Sequence, residues 1–295
     1  MDNYKIIAIG DNVCDKYLSR NKMYPGGQCV NTCVFAKRAG AKTAYIGKFG
    51  NDEVAKCVQD TLKKIGIDYS RCRYLEGENG FALVTLVNGD RKFLGSNKGG
   101  VAKTVKFNFT PEDLDYIKGF DIIYTDNNAF IDEELPVLET TGVPIAYDFS
   151  NKWNDEFFAR VSPHIDVALL SCEHLDDAAR EAGMKKCASY GVGIVLGTIG
   201  EAGSWLLYNG DFLYADAVKA ENVLDTMGAG DCYFATFLSS MLRTSKSGKL
   251  IEGTPEQMHA RLRLAMNEGA KAAAINCEGE GAFGYGVPIL GRTSI

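Results

Sequence analysis

The sequence predicts one α/β domain, a mostly parallel sheet between helices with a small accessory β flap. Three observations carry this. Strand-length apolar runs alternate with stretches of helical period. A hairpin signature, "FALVTLV" then "NGD" then "RKFLG", falls where a wound parallel sheet needs none. No linker, internal repeat or low-complexity segment divides the 295 residues.

From the start, "YKIIAI" reads as a buried strand. "GGQCVNTCVFAKRAG" reads as a helix with Val30, Cys33 and Val34 on one face and Gly40 just past its end. The strand "TAYIG" follows, then a helix in which Val54, Val58, Leu62 and Ile65 recur between a capping Asp52 and a terminating Gly66. Two successive βα units imply parallel strands. Beyond them, "FDIIYT", "VPIAYDF", "IDVALL" and "VGIVLGTI" alternate with helix-compatible segments, and "GSWLLYNGDFLYA" supplies a short β pair. Two helices close the chain, one with Ala229, Cys232, Tyr233, Phe237 and Met241 on its stripe, the other with Met258, Leu262, Met266, Ala270 and Ala273. Residues 289–295, "ILGRTSI", fit no element and read as a tail.

Composition excludes several classes. A hydrophobic content of 46% supports a sizeable core, and a net charge of −6 gives no field for a polyanion, so nucleic acid is not the expected partner. The apolar run of "MDNYKIIAIGD" is too short for a signal peptide and about 18 apolar residues nowhere run together, so a cytoplasmic protein is expected. Nine cysteines without a CxxC pair read as reduced thiols. Three dispersed histidines, His164, His174 and His259, without HExxH leave a zinc site short of ligands.

Glycine motifs carry the chemistry. "GEGAFG" matches GxGxxG at Gly279, Gly281 and Gly284, but it follows a helix and opens none, and no P-loop is present. "DTMGAGD", Asp225 to Asp231, lies where a loop becomes an amphipathic helix. The amides of Gly228, Ala229 and Gly230 can surround a phosphoryl group there, with Asp231 placed to take a proton from an attacking hydroxyl. The plainer alternative is a glycine turn with an acidic first helical turn. "YPGGQCVN" puts Gly26, Gly27 and Asn31 at the start of the first long helix, either as a ligand approach or as a turn. "GDNVCD" puts Asp11 and Asp15 near the carboxyl end of the first strand, where open α/β sheets bind ligands. "GTIGEAGS" offers Thr198, Gly200 and Gly203 to a nucleotide's phosphates, though turn glycines explain them equally.

In this order, "GDN", "GGQCVN", "GTIGEAGS" and "DTMGAGD" resemble the PfkB/ribokinase family of carbohydrate kinases over about residues 4 to 284. The resemblance implies a ribokinase-like three-layer α/β/α domain with a small β-sheet lid, whose strands fall within residues 13–24 and 80–105, ATP as phosphoryl donor, and Mg²⁺ held largely through phosphates and water. It carries over Asp231 as base, Gly228, Ala229 and Gly230 as anion hole, and Asp11, Asp15, Gly26, Gly27, Asn31 and Arg91 as sugar-site residues. Thr198, Gly200, Gly203 and Asn267 fall to ATP, and Asp225 lies near a monovalent cation, K⁺, in some relatives. The lids of this family often pair, so a homodimer is implied. One motif departs: "SCEH" stands where members usually have Asn-x-x-Glu, leaving Glu173, acting through water, as the metal-ordering candidate.

Within the family, "GDNVCDKY", "PGGQCVN", "YDFSNKW" and "DTMGAGD" are most similar to kinases of the 6-hydroxyl of fructoselysine, an Amadori compound whose ammonium suits an acidic side chain such as Asp15. Fructokinase, 2-keto-3-deoxygluconate kinase, ribokinase and nucleoside kinase activities are the alternatives within the fold. A catalytically silent sugar-binding regulator is the alternative outside catalysis.

Overall fold

Strand β1 (Lys5–Gly10) lies inside the sheet, and its alternation builds both faces of the core. Ile6 and Ala8 pack with one helical layer, Ile7 and Ile9 with the other. The computed structural model describes residues 4–87 and 90–295, with the side chains of residues 86–91 outside that description.

After β1 come two lid strands, β2 (Val13–Tyr17) and β3 (Lys22–Gly26). Helix α1 (Gln28–Arg38) and strand β4 (Lys42–Phe49) follow. In α2 (Glu53–Ile65), Asp52 accepts the Ala55 N–H at 2.9 Å and Gly66 ends the helix in the left-handed region, both as the sequence implies. The short β5 (Arg73–Tyr74) leads to the hairpin β6 (Gly80–Val87) and β7 (Asp90–Ser96). Next are α3 (Pro111–Ile117), β8 (Ile122–Asp126), α4 (Leu135–Glu139), β9 (Ile145–Asp148), α5 (Asp155–Val161), β10 (Val167–Ser171) and α6 (Asp177–Ala188). Strands β11 (Ile194–Thr198), β12 (Ser204–Tyr208) and β13 (Asp211–Ala215) precede α7 (Ala229–Arg243), α8 (Pro255–Asn276) and β14 (Val287–Pro288).

The larger sheet runs β13-β12-β11-β10-β9-β8-β1-β4-β5, parallel from β5 through to β11 and antiparallel at β12 and β13. Helices α1, α2, α7 and α8 cover one face, and α3 to α6 cover the other. From β1 the chain steps to β4 on one side and later to β8 on the other, so the topology switches between β1 and β8. Ligands of open α/β sheets bind at such a switch, outside the carboxyl ends of the strands.

The second sheet, β14-β3-β2-β6-β7, is the lid. It is larger than the flap read from the hairpin alone. Residues 13–26 contribute two strands, the 80–105 region is strand only to Ser96, and Val101–Lys103 is a 3₁₀ turn. The segment read as a tail is fastened to it. Lys16 Nζ donates to the carbonyls of Leu290 and Arg292 at 2.9 and 2.7 Å, and Arg292 pairs with Glu78. Sequence pattern missed this because residues 289–295 have no period; Lys16 on β2 and the Arg292–Glu78 pair hold them. Among the described residues, no helix is long and apolar enough to cross a membrane.

Two glycines separate conformational strain from crowding. Gly203 has φ +97°, and a Cβ there would lie 2.2 Å from the Ala215 carbonyl; Gly66 has φ +75° with open space around it. Gly203→Ala is expected to cost roughly 3 kcal/mol or more and Gly66→Ala about 1 kcal/mol, read from urea midpoints of the two variants. Equal costs would show that crowding at Ala215 is relieved by the loop.

Candidate active site

Two helix starts converge on the carboxyl ends of β1, β8 and β9. Gly27, at φ +102°, opens α1, and the Asp11 carboxylate accepts the Gln28 and Cys29 N–H groups at 3.1 and 2.8 Å. A Cβ at Gly27 would lie 3.0 Å from that carboxylate, so glycine lets Asp11 cap the helix. One turn on, Asn31 Nδ2 donates to Asp231 Oδ2 at 2.6 Å and ties α1 to the first turn of α7. The other amide atom of Asn31, Oδ1, is buried with no hydrogen-bond partner. Gly26 faces the same spot, since its Cβ would sit 3.1 Å from Asp15 Oδ2 and 3.5 Å from Asn31 Oδ1. Thus Asp11, Asp15, Gly26, Gly27, Asn31 and Asp231 are brought together, as "GDNVCD", "GGQCVN" and "DTMGAGD" imply.

Gly228 begins α7 at φ +73°, packed so closely on Ala282 that a Cβ would lie 2.9 Å from the Ala282 methyl. Ala229 N–H turns to the Thr226 carbonyl at 3.3 Å, so of the three expected anion-hole amides this one has an internal partner. The Gly230 and Asp231 amides remain as helix-start donors. Space for a Cβ at Gly230 is open.

Sequence reading missed the next layer of this site. Asp126 ends β8 and Asp148 ends β9, as Asp11 follows β1; a carboxylate at a strand's carboxyl end was the available signal. Cys29 Sγ donates to Asp126 Oδ2 at 3.0 Å, and Asn128 N–H to Asp126 Oδ1 at 2.7 Å. Gln28 Nε2 donates to Asp148 Oδ2 at 2.9 Å and Ser150 N–H to Asp148 Oδ1 at 2.7 Å, while Gln28 Oε1 accepts from Asn128 Nδ2.

Burial dominates the electrostatics. It pushes Asp231 well above the carboxylate range, with the Asp148 charge adding and the Asn31 bond opposing. Burial and the Asp11 charge raise Asp126 strongly, and burial raises Asp11 against the helix amides it accepts. Asp148 is pushed up to about 6 by burial, offset by its bonds to Ser150 and Gln28.

The remaining expected residues lie elsewhere. Thr198 ends β11, Gly200 (φ +56°) and Gly203 shape the loop after it, and a Cβ at Gly200 would collide with the exposed Glu173 carboxylate. Asn267 is exposed on α8, and the side chain of Arg91, a residue of β7, lies outside the described part. Asp225 accepts Tyr17 Oη at 2.6 Å, Met227 N–H at 3.1 Å and Gly281 N–H at 3.2 Å, so its carboxylate faces donors and joins the lid to the loop before α7. Asp11, Cys29 and Asp126 lie close enough to share a metal ion, but Asp11 is committed to two amides and burial holds the Cys29 thiol protonated, a poor set for Mg²⁺. Two surface cavities, of about 450 and 360 Å³, are lined by residues outside this cluster.

The family model for pfkB family carbohydrate kinases matches residues 3–285. The chain belongs to the pfkB family of carbohydrate kinases. This pfkB kinase is 35% identical to fructosamine kinase of Bacillus subtilis (strain 168) over 96% of its own length and 94% of the relative's. It is 32% identical to fructoselysine 6-kinase of Escherichia coli (strain K12) over 79% and 87%. Among solved structures it resembles Arabidopsis thaliana ribokinase complexed with ribose and ATP (TM-score 0.76, 19% identity, 96% and 95% covered). It also resembles fructokinase with bound ATP from Xylella fastidiosa (TM-score 0.76, 18% identity, 95% and 94% covered). The pfkB kinase thus has the ribokinase-like three-layer fold with its β lid.

The raised Asp148 makes a stability prediction. An unfolded aspartate ionises near 3.8 and this one near 6, so its unfavourable contribution is absent below 3.8, grows as pH rises and is complete above about 6. Asp148→Asn should therefore gain on wild type by up to roughly 3 kcal/mol between pH 4 and pH 7.5 in paired denaturation curves. A stability difference that does not change with pH would sink this account of Asp148.

Proposed function

We propose that this pfkB kinase transfers the γ-phosphoryl group of ATP to the 6-hydroxyl of a fructosamine, fructoselysine being the preferred substrate. The observation that carries the chemistry is the buried Asp231, held by Asn31 beside the open helix-start amides at Gly230. The relatives that share a third of its residues, acting by name on fructosamine and fructoselysine, support the substrate.

Bound ATP supplies the phosphoryl group, with Mg²⁺ neutralising its charge. The first-turn amides of α7 fit a phosphoryl group because nothing fills the space beside Gly230, and Thr198, Gly200 and Gly203 line the triphosphate segment. Glu173, an exposed carboxylate beside Gly200, would order water on the metal when it is bound. Asp231 accepts the proton of the attacking hydroxyl, and its raised affinity for protons suits a base that must hold one through the transfer. The Gly230 and Asp231 amides, backed by the α7 dipole, take charge spreading over the phosphoryl oxygens. Asn31 Oδ1, buried and unpartnered, accepts from a sugar hydroxyl, with Asp11, Asp15, Gly26, Gly27 and Arg91 completing the sugar site. Exposed Phe93 and Leu94 on β7, the edge strand of the lid, support a homodimer formed through lids.

Asp231→Asn should lower kcat by orders of magnitude with ATP affinity little changed, measured by coupled ADP release and by calorimetric titration of ATP. Turnover close to wild type would remove Asp231 from the role of base. For the anion hole, Gly228→Val is a poor test, because the left-handed turn and Ala282 forbid any side chain. Gly230→Ala is the informative variant. It should melt like wild type and lose at least about tenfold in kcat, its methyl standing where the phosphoryl group must lie. Full activity would assign the glycines to the turn alone. Assay across fructoselysine, fructose, 2-keto-3-deoxygluconate, ribose and nucleosides decides the substrate: no turnover of fructoselysine with good turnover of another overturns this reading.

A further inference from the structure

Four carboxylates, Asp11, Asp126, Asp148 and Asp231, meet at the switch point with exposures of 7%, 0%, 3% and 8%. Among the described residues, no lysine or arginine forms an ion pair with any of the four. The buried lysines point elsewhere, Lys16 to carbonyls of the C-terminal segment and Lys48 to the Val105 carbonyl. Carboxylates withdrawn from water stay ionised only beside a cation or several donors, so this site favours a ligand that brings positive charge.

A second observation points the same way. Asn31 Oδ1, on the residue whose other amide atom donates to Asp231, is a buried polar atom without a hydrogen-bond partner. It can accept from an N–H or O–H donor of a ligand. A metal ion fits the set less well, because Asp11 already accepts two amides and the Cys29 thiol donates to Asp126.

Asp126 meets the backbone N–H of Asn128, but Asp148 is the one of these two that reaches that residue through side chains. Gln28, half-buried, bridges it to Asn128, which is exposed. A linear substrate whose hydroxyl meets Asp231 and whose tail leaves the site would pass along this chain. We propose that Asp148, oriented by Gln28 and Ser150, binds the substrate's secondary ammonium group and selects sugar-amines over neutral sugars, an inference that rests on the reading of the protein as a fructosamine kinase. Asp15, the residue that sequence alone offered for this role, lies at the edge of the same cluster, on lid strand β2 beside Gly26.

The test compares wild type, Asp148→Asn, Asp148→Glu and Asp15→Asn on fructoselysine and on its ether analogue, in which oxygen replaces the linking nitrogen. In Asp148→Asn the ratio of kcat/KM for amine over ether should fall roughly 10- to 100-fold, chiefly through KM, with partial recovery in Asp148→Glu. Where turnover is too low, calorimetric Kd values for the two compounds give the same ratio. A ratio within about threefold of wild type, or a fall confined to Asp15→Asn, overturns the assignment of Asp148. Wild-type enzyme that phosphorylates another sugar and neither of these compounds overturns the sugar-amine reading itself, a result distinguishable from the failure of Asp148 alone.

Discussion

The bond from Asn31 to Asp231 is the interaction on which the rest of the site depends, because it joins the first turns of two helices that are far apart in sequence. Each helix start brings amide donors and a positive dipole end to the carboxyl edge of the sheet. Without the tie, Asp231 would be a buried carboxylate lacking the side-chain donor that Asn31 supplies. With it, base and amides share one rigid frame.

That frame holds an excess of negative charge, and its donors are arranged to tolerate it. Asp11 is stabilised by the start of α1, Asp126 by a thiol and an amide, and Asp148 by Gln28 and Ser150. These neutral donors lower the cost of burial without cancelling the charge, so the proton affinities stay high. The lid connects to the same frame through Tyr17, whose hydroxyl reaches Asp225 in the loop before α7, and Asp225 in turn holds Gly281, next to the Ala282 that packs on Gly228. Lid position and the turn that opens α7 are therefore mechanically linked.

Much of this was legible in the chain. The periods of "YKIIAI", of Val54 to Ile65 and of the two closing helices are local properties, and the structure repeats them. The glycines at 26, 27, 228 and 230 were legible because a turn that admits a ligand leaves few residue choices. Asp126 and Asp148 were not, since a single aspartate at a strand end has no period and reads like any loop residue. Asp225 was read as structural or near a cation; that it accepts donors from β2, its own loop and the segment after α8 was not legible, because those partners are remote in the chain.

By itself, then, the sequence determined the alternation of strands and helices and the glycine turns at two helix starts, which depend on residues close together in the chain, and, through the order of its motifs, the family to which the kinase belongs. Tertiary structure alone decided that the switch between β1 and β8 gathers four buried carboxylates, that Gln28 serves Asp148 while Asn31 serves Asp231, and that the C-terminal segment belongs to the lid. The reason is physical: proton affinity and hydrogen-bond partnership follow from distance and burial, which a chain acquires only when strands remote in sequence become neighbours.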